Sequence, residues 1–283
     1  MHGRFCNGEA VLHKIIRVMI ADDSSIARDI VAEGIQAHRG ERYIEIEQAS
    51  NGRAALEILQ AKRIDVAFVD IHMPGLNGPE VVSAMRDTQS NDCLTVAMSS
   101  SLDDKAESVL KRFGAYHFLQ KPFSPAEISE IIATYRIMTR SYPILVVDDS
   151  GTMRKLTRKV LESSRFEFEV SEADSADAAL KALSRAKFEL VLTDFHMPGV
   201  DGLELAGSIR DLSSKVGIYM MSTNDTTYLE RSAAFVGISG FLKKPFNAAD
   251  IDMLMHDYLE IDKPKFGKVR DVFSFIERER KAS

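Results

Sequence analysis

A duplication constrains this sequence of 283 residues more than any other feature. Three motifs occur twice in the same order, with copies between 123 and 126 residues apart. A period of this size matches a whole domain and is too long for a solenoid repeat. The motif pairs are Val18-Met-Ile-Ala-Asp-Asp-Ser24 with Ile144-Leu-Val-Val-Asp-Asp-Ser150, Asp70-Ile-His-Met-Pro-Gly-Leu-Asn-Gly78 with Asp194-Phe-His-Met-Pro-Gly-Val-Asp-Gly202, and Phe118-Leu-Gln-Lys-Pro-Phe123 with Phe241-Leu-Lys-Lys-Pro-Phe246.

Each copy alternates short apolar runs with amphipathic stretches, which predicts an α/β fold with a parallel sheet covered on both faces. Five strands per copy favour two flavodoxin-like, doubly wound (βα)5 domains in tandem. The ligand site of such a domain lies beyond the carboxyl ends of the strands. The predicted strands are Val18–Ala21, Tyr43–Ile46, Val66–Val69, Leu94–Met98 and Ala115–Leu119, then Ile144–Val147, Phe168–Val170, Leu190–Thr193, Ile218–Met221 and Gly240–Leu242.

The repeat also sets the predicted domain organisation. The C-terminal tail at 263–283 is basic. One helical face is indicated there by the spacing of Val269, Val272, Phe273 and Ile276. This favours a terminal helix that packs on its own domain, with a docking helix for a partner as the alternative. The predicted segments are an N-terminal extension at 1–14, a first domain at 15–138, a linker at 139–142, a second domain at 143–262 and the tail at 263–283.

The composition indicates the compartment of the protein and argues against some classes of partner. A net charge of −6 argues against a nucleic-acid surface over the whole chain. Two cysteines imply no disulfide framework. No apolar run reaches the roughly 20 residues of a membrane span, and the N-terminus lacks the apolar core of a signal peptide. We therefore expect a cytoplasmic protein.

Acidic residues stand at the predicted strand ends in both copies. Asp22, Asp23 and Asp70 would meet in one crevice of the first domain, and Asp148, Asp149 and Asp194 in the second. Three adjacent carboxylates repel one another unless a cation lies between them, and oxygen ligands suit Mg²⁺. The alternative for a single acidic pair is that Asp22 or Asp148 caps the next helix. Two copies, each with a partner Asp, favour the metal.

Two further residue types recur at matching distances. Lys121 and Lys244 each precede a proline at the end of the fifth strand, where a cis peptide bond would hold the lysine loop. Ser99 and Ser222 each lie 22 residues before their lysine and can donate a hydrogen bond to a phosphoryl oxygen. A carboxylate beside Mg²⁺ can act as a nucleophile toward phosphorus, and the lysine would neutralise charge.

Taken together, these motifs resemble the receiver domain of two-component response regulators, particularly the chemotaxis type. The resemblance covers about 14–138 and 142–262. It implies that Asp70 and Asp194 accept phosphate from a sensor histidine kinase or a phosphotransfer protein. It also implies one Mg²⁺ per domain, held by the acidic pair, the acceptor and the backbone carbonyl two residues later. The resemblance assigns these carbonyls to His72 and His196, the phosphoryl-binding roles to Ser99, Lys121, Ser222 and Lys244, and the switch aromatic to Phe118 and Phe241.

Several departures and alternatives stay open at this stage. The hydroxyl position holds Ser where Thr is common, and Ser100 and Thr223 follow where a small Ala is frequent. One domain as an unphosphorylated adaptor or dimerisation module is an alternative, as is a homodimer. A haloacid-dehalogenase-like phosphatase would need a second Asp where His72 and His196 stand. A flavodoxin-like electron carrier would suffer repulsion between the acidic pairs and the FMN phosphate.

The expected function is therefore a signalling protein and not an enzyme. The tail is too short for a DNA-binding or cyclase output domain, so signalling would act through contacts with a downstream protein. The sequence identifies neither the kinase nor that target.

Overall fold

The computed structural model describes residues 15–37, 43–88, 93–223, 236–266 and 273–274. The chain divides into two compact units, and the boundary falls between Tyr135 and Arg136. No helix in these described ranges is long and apolar enough to cross a membrane. The predicted N-terminal extension at 1–14 lies outside the described residues.

The first unit is a parallel five-stranded sheet with the strand order β2-β1-β3-β4-β5. Its strands and helices alternate without exception along the described chain. The last helix continues across the unit boundary. The elements are β1 (Ile16–Ala21), α1 (Ser25–Gln36), β2 (Ile44–Ala49), α2 (Gly52–Ala61), β3 (Val66–Asp70), α3 (Gly78–Thr88), β4 (Leu94–Ser99), α4 (Asp104–Arg112), β5 (His117–Gln120) and α5 (Pro125–Met138).

The second unit repeats this architecture. Its five parallel strands have the order β7-β6-β8-β9-β10, which matches the first sheet position by position, and a short strand β11 adds to β10 in antiparallel orientation. The elements are β6 (Ser141–Val147), α6 (Gly151–Glu162), β7 (Glu167–Ala173), α7 (Ala176–Leu183), β8 (Leu190–Asp194), α8 (Gly202–Leu212), β9 (Gly217–Ser222), β10 (Gly240–Lys243), α9 (Ala248–Tyr258) and β11 (Phe273–Ser274).

The central strands are buried on both faces, which is why they consist of continuous apolar runs. Every residue of β3 and β4 is buried, and so is every residue of β9. The outer strands β2 and β7 alternate charged and apolar residues because one face stays accessible. The predicted fold of two doubly wound (βα)5 domains is confirmed.

Three predicted boundaries differ from the structure. Strand β7 extends through the charged residues at both ends of Phe168–Val170, because it pairs along its whole length with β6. Strand β6 begins at Ser141, so the segment between α5 and β6 is shorter than the predicted linker 139–142. The predicted tail helix is wrong at Phe273, which lies in β11 and pairs with the edge strand β10. Its other face residues, Val269, Val272 and Ile276, lie outside the described residues.

Gly78 and Gly202 begin α3 and α8 directly behind the preceding strands. A Cβ atom at Gly78 would lie 2.3 Å from the carbonyl oxygen of Asp70, and one at Gly202 would lie 2.3 Å from that of Asp194. Each glycine N–H donates to the carbonyl of the residue after its aspartate, at 3.0 and 3.1 Å. Only glycine permits this approach of helix to strand.

We expect Gly202→Ala to destabilise the second domain by about 1–3 kcal/mol, because its methyl group meets backbone that cannot move aside. Gly207, one turn further along α8, is the matched control. A Cβ there would find its nearest neighbour at 3.9 Å, so Gly207→Ala should stabilise the helix by roughly 0.5–1 kcal/mol. Calorimetric unfolding of both variants measures the two effects. Changes of equal sign would show that the close approach does not constrain this helix.

Candidate functional site

The first candidate site lies where β1, β3 and β5 end at the same edge of the sheet. Asp22 follows β1 and is fully buried, whereas its neighbour Asp23 is exposed. Asp70 is the last residue of β3 and is 3 % exposed. One oxygen from each of these three carboxylates lies within 4.8 Å of the other two. The parallel strands thus bring together three acids that are up to 48 residues apart in sequence.

Lys121 supplies the positive charge of this site. Its Nζ atom lies 2.7 Å from Oδ2 of Asp22 and 2.9 Å from Oδ1 of Asp70. The peptide bond from Lys121 to Pro122 is cis, as the sequence suggested. The backbone N–H of Lys121 donates to the carbonyl of Ser99 at 2.8 Å, which fixes the lysine beside the end of β4.

Burial raises the pKa of the Asp70 carboxyl, and the nearby Asp22 carboxylate raises it further. Hydrogen bonds from Lys121 and from the backbone N–H of His72 act in the opposite direction. Burial alone would lower the pKa of Lys121, but its contacts with the two carboxylates outweigh burial and raise it. The site therefore keeps its lysine charged while the ionised form of Asp70 is costly.

The second site repeats this geometry. Nζ of Lys244 lies 2.8 Å from Oδ2 of Asp148 and 3.1 Å from Oδ1 of Asp194. Asp148 is 1 % exposed, and Asp149 is exposed like its counterpart. The Lys244–Pro245 bond is cis, and the N–H of Lys244 donates to the carbonyl of Ser222 at 2.7 Å.

The two sites differ in how they are buried. The side chain of Lys121 is 25 % exposed and that of Lys244 only 8 %, whereas the side chain of Asp70 is 5 % exposed and that of Asp194 17 %. Lys244 is therefore better shielded than Lys121, and Asp194 is more accessible than Asp70.

The remaining predicted residues lie near these clusters. Ser99 and Ser222 end β4 and β9 and are buried. Oγ of Ser99 accepts a hydrogen bond from the N–H of Ser101 at 3.4 Å. Phe118 and Phe241 are buried in β5 and β10. The side chains of His72 and His196 are exposed, so neither imidazole belongs to the buried part of a site.

The helix-cap explanation of the acidic pairs is wrong. Ser24 caps α1 by accepting from the N–H of Ala27, and Ser150 caps α6 by accepting from the N–H of Met153. One oxygen each of Asp22 and Asp148 accepts from the N–H two residues later, at 2.9 Å. These bonds aim the carboxylates and leave the second oxygen of each acid toward the crevice.

The donor set suits a hard divalent cation. Oδ2 of Asp22 is buried, and Nζ of Lys121 lies 2.7 Å from it. Each cluster offers three carboxylates and no nitrogen or sulfur donor. Oxygen ligands of this kind match Mg²⁺, which keeps several waters beside one or two carboxylates. The acidic clusters can therefore hold a metal.

Two arginines were assigned no role from the sequence, although Arg154 ends the motif Asp149-Ser-Gly-Thr-Met-Arg154 that resembles the chemotaxis type. The Nη1 atom of Arg28 donates to the carbonyls of both Asp22 and Asp23, and Arg154 makes the same pair of bonds in the second domain. The signal was present, because an arginine follows the first acid by six residues in each copy. It was missed because an arginine on a helix usually has no role beyond solvation.

Replacing Asp70 with Asn should raise the melting temperature of the metal-free protein at pH 7. The folded protein binds the Asp70 proton more tightly than the unfolded chain does, so ionisation of Asp70 costs stability as pH rises through its raised pKa. We expect the gain to grow as the pH rises through this raised pKa and to be present near pH 7. The gain should vanish below the ordinary value of 3.8, where Asp70 is protonated in both states.

Calorimetry in EDTA between pH 3.5 and 7.5 measures this difference. Asp29→Asn removes an exposed carboxylate of α1 and controls for net charge. A difference in melting temperature between wild type and Asp70→Asn that stayed constant over the pH range would contradict a raised pKa of Asp70.

Comparison with known proteins agrees with this geometry. The family described as the response regulator receiver domain matches residues 18–133 and 144–256. The chemotaxis protein CheY-3 of Vibrio cholerae is 32% identical over 117 residues, which is 41% of this chain and 89% of that protein.

Solved structures agree with the fold. The crystal structure of a putative two-component system response regulator/GGDEF domain protein covers 87% of this chain and 98% of its own, with a TM-score of 0.57 and 23% identity. The structure of a probable two-component system response regulator/GGDEF domain protein also covers 87% of this chain and 98% of its own, with a TM-score of 0.56 and 25% identity. Since the family matches in both units and spans most of the sequence, this chain belongs to the response regulators of two-component systems and consists of two receiver domains in tandem.

Proposed function

We propose that both domains accept a phosphoryl group, on Asp70 and on Asp194, in a Mg²⁺-dependent reaction. The observation that carries the proposal is the completeness of both sites. Each has an acceptor carboxylate, an acidic pair and a lysine that contacts the acceptor within 3.1 Å. Because neither domain lacks a member of the set, an unphosphorylated adaptor role for one of them is the weaker alternative.

The acceptor carboxylate is the nucleophile of the proposed reaction. An oxygen of Asp70 attacks phosphorus of a phosphohistidine, an aspartyl phosphate forms, and the bond from phosphorus to the histidine nitrogen breaks. When bound, Mg²⁺ would neutralise charge on the phosphoryl oxygens. The residues that would hold it are the acceptor and the acidic pair, with the backbone carbonyls of His72 and His196 as further ligands.

Lys121 and Lys244 have the second electrostatic role. Each ammonium already contacts its acceptor and the buried acid of its pair, so it lies where charge would accumulate during transfer. Such catalysis depends on position and charge more than on proton transfer. The hydroxyls of Ser99 and Ser222 would donate to a phosphoryl oxygen at the ends of β4 and β9, where each serine carbonyl already holds the lysine backbone.

Signalling would then depend on a change in protein contacts. Phosphorylation would shift each domain between two conformations, and Phe118 and Phe241 would reorient as the buried aromatics near the lysines. The source of phosphate would be a sensor histidine kinase or a phosphotransfer protein, and the target a downstream protein. The chain would act in the cytoplasm as a phosphoacceptor, with no turnover of a separate substrate.

Phosphorylation by acetyl phosphate with Mg²⁺ tests this function. We expect intact-mass spectrometry to show up to two added phosphoryl groups on wild type and at most one on Asp70→Asn or Asp194→Asn. The double variant should show none, because an amide cannot form the acyl phosphate. Hydroxylamine should remove the label, and EDTA should prevent its formation.

Asp29→Asn and Asp211→Asn change the same residue type outside the sites and should label like wild type. Wild type without any label at either aspartate would overturn the proposal. Label on only one aspartate would restore the adaptor alternative for the other domain. Phosphotransfer from candidate histidine kinases to the same variants would then identify the donor.

A further inference from the structure

In both domains an arginine holds the loop that contains the acidic pair, Asp22 and Asp23 or Asp148 and Asp149. Nη1 of Arg28 donates to the carbonyl of Asp22 at 2.7 Å and lies 3.3 Å from that of Asp23. Nη1 of Arg154 has the same two distances to the carbonyls of Asp148 and Asp149. Neither guanidinium forms an ion pair with an acidic side chain of the site within the described chain. The arginines therefore hold the backbone of the acidic pair and leave its carboxylates available.

The far side of each guanidinium is attached to the neighbouring strand. Nε of Arg28 donates to Oε1 of Gln48 on β2 at 3.3 Å, and Nε of Arg154 donates to Oε2 of Glu172 on β7 at 3.3 Å. Gln48 and Glu172 occupy equivalent positions, one residue before the end of their strands. Each arginine thus links a helix, a loop and a strand, so its position is fixed from two directions.

This link bears on how the carboxylates are aimed. The same loop places one oxygen of Asp22 on the N–H of Ser24 and the other, which is buried, toward Lys121 and Asp70. If the two carbonyls turned, both carboxylates would turn with them, because the carbonyl and the side chain share one backbone. Groups that orient metal ligands in this way typically change metal affinity by 10–100-fold.

We propose that Arg28 and Arg154 are positioning residues for the metal ligands of the two domains, acting through the backbone of the acidic pairs. The inference rests on the proposed function, since it concerns the same metal sites. It adds an arginine to each site, although the positive charge of an arginine would by itself weaken the binding of a cation. A cation near a metal site repels the metal, so an arginine that strengthens metal binding must do so through geometry.

The sign of the effect separates positioning from electrostatics. If Arg28 acted only through its charge, then Arg28→Met would remove a repulsion and Mg²⁺ would bind more tightly. If it positions the ligands, Arg28→Met should weaken Mg²⁺ binding by roughly tenfold or more. Arg28→Lys keeps the charge but loses the planar guanidinium that reaches both carbonyls and Gln48 together. This variant should therefore also bind Mg²⁺ more weakly than the chain with Arg28.

Calorimetric titration of the full chain with Mg²⁺ makes the measurement. Asp149→Asn with Asp194→Asn isolates the first site, and Arg28→Met or Arg28→Lys is added to that background. Asp23→Asn with Asp70→Asn isolates the second site for Arg154→Met. Arg17→Met is the matched control, because Arg17 lies on β1 and pairs with Glu45 at 2.8 Å without contacting the loop. The Arg17→Met control should bind Mg²⁺ within about twofold of its background, since a distant, partly exposed charge is screened.

The outcomes are distinct. Weaker binding in the Arg28 and Arg154 variants, with native circular dichroism and an unaffected control, supports positioning. Affinity that stays equal or rises in these variants overturns it, and so does an equal loss in Arg17→Met. A background chain that binds no Mg²⁺ overturns the metal sites and this inference together. Normal Mg²⁺ binding without label from acetyl phosphate in the unmodified chain overturns only the phosphoacceptor function.

Discussion

Repulsion among three carboxylates at one sheet edge is the constraint on which both domains depend. A parallel sheet with β1 and β3 adjacent brings Asp22 and Asp70 together whether or not their charges favour it. In each domain one lysine contacts two of the acids, and this leaves more negative than positive charge within hydrogen-bonding distance. Such an arrangement costs stability in the free protein and favours the binding of a cation. The fold tolerates this cost, because burial of apolar side chains in the sheet stabilises the domain by more than repulsion among the carboxylates destabilises it.

The apolar strands serve the site by fixing the position of the chain at their ends. Asp70 pairs with Met98 in the register of β3 and β4, and Ser99 lies opposite Gln120 in that of β4 and β5. Lys121 follows immediately, so two strand pairings determine its distance from Asp70. The second sheet has the equivalent registers, with Asp194 opposite Met221 and Ser222 opposite Lys243. Rigid strands therefore position residues that the loops alone would leave loose.

How much of this was predictable depends on the range of the interactions. The repeat, the apolar runs and the acidic pairs are local signals, and they predicted the fold class and the carboxylates that meet. The caps on Ser24 and Ser150 involve neighbours three residues away, yet Asp22 and Asp148 were equally good candidates by residue type. The link from Arg28 to Gln48 spans 20 residues and depends on a helix lying against a strand, so no local pattern reveals it. Strand β11 depends on pairing with β10, and an isolated amphipathic period could not show that.

Gly78 and Gly202 have a consequence for how these domains can vary in sequence. Because Gly78 lies against the carbonyl of Asp70, and Gly202 against that of Asp194, the seven residues between each aspartate and its glycine can change their side chains but not their number. The two copies illustrate this, since the segments 71–77 and 195–201 differ at three positions and have the same length. The changes in length lie elsewhere, as the copies are 126 residues apart at the acidic pair, 124 at the acceptor and 123 at the lysine. The differences in length therefore lie in the connections between the loops at the strand ends and not within the segments 71–77 and 195–201, which behave as spacers of fixed size.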